Sequence, residues 1–186
     1  MAWPWWTRSS NCLTTSSGCG IERGQICSSN ASIWPRDALD KARDRRGAPV
    51  TGYTRISDEP IEIHSGIYNP DIVVVIDPTV IGVSPVTQGL KEGGIVIVNS
   101  VETPQTVAEK LGKGNFKVYT VDATKIALEV FGRPFFNTPM LGALARVTKI
   151  VSLNSIEEAI RERFKGDIAE KNITAVRKAY EEVKGL

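Results

Sequence analysis

The sequence predicts an α/β fold, a Rossmann-like and mostly parallel sheet with flanking helices and a helical C-terminus. Three runs of strand length carry this reading: Asp71-Ile-Val-Val-Val-Ile-Asp77, Gly93-Gly-Ile-Val-Ile-Val-Asn99 and Phe116-Lys-Val-Tyr-Thr-Val-Asp122. Near-continuous apolar runs of this kind suit parallel strands covered on both faces. Segments that permit helix lie between them, and strand, crossover, strand, crossover, strand is the order that right-handed βαβ units produce. A break in composition sets the limits of the fold. All four Trp and all three Cys fall before residue 35. Residues 1–44 show no helical or strand period, whereas residues 45–186 alternate apolar strands with capped amphipathic helices and read as one domain.

Taken in order, Val50 to Ile56 is rich in β-branched and aromatic residues, and Ile61-Glu-Ile-His64 alternates apolar with polar. Ser57-Asp-Glu-Pro60 between them reads as a hairpin turn. The first apolar run follows, then Val86 to Glu92 as a helix-permitting crossover, the second run, Thr103 to Leu111 as the next crossover, and the third run. Thr124 to Phe131 reads as a short helix stopped by Gly132 and Pro134. Asn137-Thr138-Pro139 places a cap before a proline in the first turn and opens a helix buried through Leu141, Leu144 and Val147. Ser155-Ile-Glu-Glu158 has the spacing of a capping box, with Ile156, Ala159, Ile160 and Phe164 as the buried face that follows. The last helix, from about Asp167 to Lys184, carries Ile173, Val176, Tyr180 and Val183 at steps of three and four, a stripe for core or subunit contact.

Composition excludes several classes of function. A net charge of +2 from 23 basic and 21 acidic side chains provides no broad basic face for nucleic acid or anionic lipid. No window approaches the roughly 18 consecutive apolar residues of a membrane span. The first residues lack the apolar core of a secretory signal, which points to the cytoplasm. Cys12, Cys19 and Cys27 are an odd set without a C-x-x-C pair, so neither a metal site nor a disulfide framework follows from them. His64, the only histidine, sits on the polar phase of its strand with no indicated partner and reads as an exposed strand residue.

Asp77, Asn99 and Asp122 close the three apolar runs. Ligands and partners of open α/β sheets bind beyond the carboxyl ends of the strands, where these side chains would stand. Small polar residues also begin turns, so either role fits each one singly. The three together mark a candidate functional edge.

Several strings stand in the order and spacing of a known family: Arg45-Arg46-Gly47-Ala-Pro-Val50, Thr54-Arg-Ile-Ser-Asp-Glu-Pro60, Asp71-Ile-Val-Val-Val-Ile-Asp77-Pro78 and Asn137-Thr-Pro-Met-Leu-Gly142. With Ser155 to Phe164 and Glu170-Lys-Asn172, residues 45–186 resemble the gamma subunit of pyruvate (2-oxoacid):ferredoxin oxidoreductase almost continuously. The resemblance implies a share in oxidative decarboxylation of a 2-oxoacid to its acyl-coenzyme A, with electrons passed to ferredoxin. It implies alpha, beta and delta subunits as partners, and thiamine diphosphate, magnesium and iron–sulfur clusters on those partners rather than on this chain, with coenzyme A as co-substrate. By the same resemblance Arg46 and Gly47 match an Arg-Gly segment that faces other subunits and accommodates coenzyme A, and Asn137 matches a helix start. A guanidinium holds a phosphate bidentately, and it equally pairs with an acidic residue across a subunit contact. The alternatives to a ligand role are a purely scaffolding subunit and an inactive truncated copy.

The family begins with a strand and a G-x-G-G-Q-G loop, which residues 1–44 lack. The genetic code offers an account. Trp and Met have single codons, so dropping one base from Met1-Ala-Trp-Pro-Trp-Trp-Thr7 nearly forces the translation W-x-G-x-G-G-x, and one synonymous choice through Cys12 reads WHGRGGQGAVTA. In that frame every Trp codon becomes Gly, which also explains the clustered tryptophans. The shift permits G-K-Y-A at Gly24 to Cys27 and F-G-P at Ile33 to Pro35. Residues up to about Pro35 are thus expected to be an out-of-frame reading, with the frame restored before Arg45 and no defined core formed by the segment.

Overall fold

The computed structural model describes residues 51–56, 66–112 and 114–185. They fall into two compact units divided after Ile67. The expectations for residues 1–44, Arg46, Gly47, the turn at 57–60 and His64 lie outside the described residues. In the first unit, Thr51 to Ile56 joins no regular element, in contrast to the strand expected there, and the Arg55 guanidinium donates to the Gly66 carbonyl at 3.3 Å.

The second unit holds the sheet. Its strands are β1 (Ile72–Val75), β2 (Gly94–Asn99), β3 (Phe116–Val121) and β4 (Lys184–Gly185), side by side in sequence order. The first three are parallel, and β4 returns antiparallel beside β3. The helices are α1 (Pro104–Leu111), α2 (Ala123–Phe131), α3 (Asn137–Thr148), α4 (Leu153–Arg163) and α5 (Asp167–Glu182). The α/β fold and the parallel pairing of the three apolar runs are those the sequence predicts.

The crossover from β1 to β2 differs. Val86 to Glu92 forms no helix; a 3-10 turn at Pro78–Val80 is followed by turns closed by Gln88 N–H to Pro85 and Leu90 N–H to Thr87. Gly89 breaks the helix with a φ of +76°, and a β-carbon there would collide with the Tyr68 carbonyl oxygen. Glycine is required at this position by both conformation and space.

Each face of the sheet has its own core. Val73, Val75, Val96, Val98 and Val118 pack under Val107, Ala108 and Leu111 of α1 and under Val80, Ile81, Val86 and Leu90 of the first crossover. Ile95, Ile97, Tyr119 and Val121 pack under α2, α3 and α5, where Ile126, Met140, Ala143, Ala175 and Ala179 meet them. α4 packs outside α3 and α5 through Ile156 and Ile160, against Ala145, Ala169, Ile173 and Val176. Expected on that buried face, Ala159 and Phe164 are instead exposed, and Glu157 is buried in their place.

α3 and α5 run parallel, in register by whole turns. Thr138 meets Asn172, Gly142 meets Val176 and Arg146 lies over the Tyr180 ring at 5.2 Å, each pair one turn beyond the last. The buried residues of α3 are consequently small, Gly142, Ala143 and Ala145, with Pro139 and Met140. Leu141, expected inside, is 43% exposed. The period of large apolar residues misplaces the buried face because the contact is made by the smallest ones.

The capping box expected at Ser155 lies one turn earlier. Ser152 is the cap of α4, its hydroxyl accepting from the Ser155 amide at 3.1 Å while the two hydroxyls bond at 2.8 Å. Ser155 therefore stands where a box would place its Glu.

Glu157 ties α4 to α5. It accepts from Arg177 Nε at 2.6 Å and Nη2 at 2.8 Å, with Arg161 at 3.5 Å. The Arg177 bonds hold its carboxyl below the ordinary glutamate value of 4.5 against the effect of burial. A lowered folded value means that this pair stabilises the fold above the unfolded value and that the contribution disappears as pH falls through the folded one. The unfolding midpoint is therefore expected to fall as pH drops below about 4.5. Glu157→Gln should lower stability at neutral pH by about 1–2 kcal/mol and flatten that acid slope. Thermal unfolding of both proteins across this pH range measures it, and parallel profiles would exclude the assignment.

Candidate functional site

A cavity of about 460 Å³ opens at the carboxyl edge of the parallel strands, its mostly apolar wall made with Pro78, Ile81, Val101 and Val107 and its polar groups supplied by Asn99, Ser100, Glu102, Lys110, Asp122 and Thr124. Each polar group there follows from where its strand ends. Asp77 leaves β1 and caps the 3-10 turn, accepting from the Thr79 amide at 2.9 Å and hydroxyl at 2.7 Å. The Thr79 hydroxyl, with the amide beside it, holds the Asp77 carboxyl below its ordinary range. Asp122 leaves β3 and caps α2 by accepting from the Lys125 amide at 2.9 Å.

Asn99 is the buried member of the three, 4% exposed. Its amide nitrogen donates to the Ile76 carbonyl at 2.9 Å and to Thr124 Oγ1 at 3.1 Å. One side chain at the end of β2 thus joins the end of β1 to the start of α2. Ser100 accepts from the Glu102 amide at 3.1 Å, Thr103 caps α1, and Lys110 pairs with Glu102 at the side of the cleft.

The structure brings Asn99 and Asp122 to one cleft and places Asp77 next to its rim, beside Pro78. Asn137 is not among the lining residues, and Arg46 and Gly47 lie outside the described ones. Ser100, Glu102, Lys110 and Thr124 are lining residues that the sequence reading missed. Their only signal was position after a strand, which ordinary capping residues share. The lining offers hydroxyls, an amide, the Asp122 carboxylate and one ion pair, and its two hydroxyls bond to Asn99 and to the Glu102 amide rather than to a base. Among the described residues no group of three His, Cys, Asp or Glu is placed to hold a metal ion. The order β1-β2-β3 contains no reversal, so these strands form no switch-point crevice, and the cleft lies at their carboxyl ends alone.

Asn137 and Thr138 do not cap α3. The cap position is Phe136, with no side-chain bond to the first turn, and Asn137 is an exposed first-turn residue. Thr138 instead donates its hydroxyl to Asn172 Oδ1 at 2.8 Å, while Asn172 Nδ2 donates to the Ile168 carbonyl at 2.7 Å. Tertiary contact has taken the hydroxyl away from its own helix start. Thr138→Val should therefore cost about 1–2 kcal/mol by leaving a buried acceptor unpaired, whereas Asn137→Ala should cost under about 0.5 kcal/mol. Chemical denaturation of the two variants compares them, and equal losses would restore the capping account.

The sequence model of the pyruvate ferredoxin/flavodoxin oxidoreductase family matches residues 42–182. This chain belongs to that family. Similar family proteins include the pyruvate/ketoisovalerate oxidoreductases common subunit gamma of Thermococcus litoralis, 54% identical over 138 residues that cover 74% of this chain and 75% of the relative. The pyruvate synthase subunit PorC of Methanothermobacter thermautotrophicus is 48% identical over 143 residues, 77% of this chain and 76% of the relative. Among solved structures, the pyruvate oxidoreductase subunit PORC of Thermotoga maritima superposes with a TM-score of 0.60 at 48% identity, over 64% of this chain and 66% of that one. The fold extends to an oxoacid ferredoxin oxidoreductase gamma subunit of Geobacter sulfurreducens, TM-score 0.53 at 24% identity, covering 68% and 66% of the two chains. Among the described residues no helix is long and apolar enough to cross a membrane.

Proposed function

We propose that this chain acts by assembly. It is the gamma-type subunit of a 2-oxoacid:ferredoxin oxidoreductase, an oxidoreductase acting on the oxo group of its donor. The observation that carries this is the match over residues 42–182, with about half of the aligned positions shared with a protein named as a common subunit gamma and with one named as pyruvate synthase subunit PorC. In this reading alpha, beta and delta subunits complete the complex, and thiamine diphosphate, magnesium and iron–sulfur clusters reside on them, supplying decarboxylation and electron relay to ferredoxin.

The contribution of this chain is to close over the active site and help coenzyme A to bind. Arg46, beside Gly47, holds a phosphate of coenzyme A bidentately. The start of α3 supports a similar role for Asn137, because no side chain caps its first turn and a helix N-terminus offers amides and a positive dipole end to an anion. Asp77, Asn99 and Asp122 form a docking edge for a neighbouring subunit, Asn99 by fixing its shape.

Arg46→Ala in the assembled enzyme tests the ligand role. KM for coenzyme A should rise roughly tenfold or more, the loss of one charge-assisted contact, with kcat little changed. An unchanged KM in an intact complex leaves a purely scaffolding subunit, and an assembled complex without turnover indicates an inactive copy.

A further inference from the structure

The cleft at the carboxyl ends of the strands holds polar groups that its own residues do not use up. The buried Asn99 amide is oriented by the 2.9 Å bond from its Nδ2 to the Ile76 carbonyl. Its Oδ1 is met only by the Thr124 hydroxyl at 3.4 Å, longer than an ordinary O–H···O bond, while the same hydroxyl oxygen accepts from Nδ2 at 3.1 Å. Ser100 Oγ accepts from the Glu102 amide, and its proton bonds to no acceptor among the described residues. A buried acceptor and two hydroxyl protons are therefore available to an occupant, and such groups cost free energy until they are matched.

Wall and charge narrow the choice of occupant. Val101 is 81% exposed, yet it lines the opening with Pro78, Ile81 and Val107. Lys110 is neutralised by Glu102, whereas Asp77 and Asp122 form no ion pair among the described residues. The helix starts that could draw an anion are already closed, α1 by the Thr103 hydroxyl and α2 by Asp122. A phosphate or carboxylate would therefore enter a field of its own sign. A cation with an apolar body, by contrast, meets carboxylates at the rim and valines at the wall.

We propose that the cleft receives a peptide loop of a neighbouring subunit, one that carries Lys or Arg next to an apolar side chain. This deepens the docking role given above to Asp77, Asn99 and Asp122 and rests on it. The apolar side chain packs between Ile81, Val101 and Val107, and the basic one pairs with Asp122 and Asp77. The main chain of the loop completes the hydrogen bonds: a carbonyl accepts from Ser100 or Thr124, and an N–H donates to Asn99 Oδ1. A small organic cation would supply the charge without that pair of peptide groups. The cavity of about 460 Å³ has room for a few residues of chain.

The assembled complex tests it. Asp77→Asn with Asp122→Asn keeps both caps and removes both charges, because asparagine caps as well as aspartate. The double change should weaken association of the chain with the remaining subunits at least roughly tenfold at about 0.05 M salt and much less at about 0.3 M. Val101→Ser should weaken it about fivefold while the Tm of the free chain stays within about 1 °C. Val101→p-benzoylphenylalanine, irradiated in the complex, should couple to a partner peptide with Lys or Arg beside an apolar residue. Unchanged association of both variants, equal weakening at the two salt levels, or coupling to a second copy of this chain or to coenzyme A overturns the proposal. If the chain enters no complex with alpha, beta and delta subunits, the gamma-subunit reading fails by itself, and the full chain alone decides the cleft. There acetyl-Leu-Arg-Leu-amide should shift the amide resonances of Val101, Glu102 and Thr124 where acetyl-Leu-Glu-Leu-amide does not, and equal shifts or none overturn the proposal.

Discussion

Replacing Gly142 with valine is expected to unfold the C-terminal helical layer. A β-carbon at this position would sit far inside van der Waals contact of the Val176 carbonyl oxygen and carbon. The obstacle is backbone, so no rotamer change relieves it, and α3 and α5 would have to part along a seam also held by the Thr138–Asn172 bond and the Arg146–Tyr180 contact. Overpacking against backbone is expected at the top of the usual range for such changes, about 3 kcal/mol. That corresponds to a fall in Tm of about 10 °C for a domain of this size. Differential scanning calorimetry of wild type and variant measures it. A fall under about 3 °C would mean that the helices slide freely and that the whole-turn register has no energetic weight.

Ile97→Ala is expected to cost about 3–4 kcal/mol, at the upper part of the range for such truncations. Ile97 is fully buried in the central strand, under Ala143, Ala175 and Ala179. Those alanines already let the helices lie close to the sheet and have no longer side chain to turn into the space that would be left. The space left by the side chain cannot collapse, so the cavity penalty adds to the lost transfer energy. Urea unfolding with an unchanged m-value checks this. A loss under about 1.5 kcal/mol would show that the helical layer settles onto the strand.

The strands were the most legible part of the sequence. Asp71 to Asp77, Gly93 to Asn99 and Phe116 to Asp122 are apolar over their whole length, and only a parallel sheet uses such runs in succession. The C-terminal end of α2 was equally plain, because Gly132 takes the left-handed conformation that stops a helix within one turn of itself. The crossover after β1 was not legible, since Val86 to Glu92 has the composition of a helix, and Gly89 leaves helical backbone with a positive φ at a point where any β-carbon would meet the Tyr68 carbonyl, remote in sequence. The candidate edge was half legible: strand ends placed Asp77, Asn99 and Asp122 correctly, but which of them is buried depends on where β1 and α2 come together.

Local chemistry and periodicity therefore determined the class of fold and the three parallel strands, because each of these is decided by groups within a few residues of one another, whereas the last helix, expected to reach Lys184, stops at Glu182 and gives way to β4 beside β3. The resemblance carried by residues 45–186 determined the family in the same way, from strings in order. The tertiary structure alone decided that Thr138 serves α5 instead of its own helix, that Ser152 caps α4, that Glu157 is buried between two arginines, and that α3 turns its small residues inward. The physical reason is common to all four. A hydroxyl, carboxylate or glycine can satisfy several partners equally well, and the one it takes is the one that packing between distant segments leaves within reach.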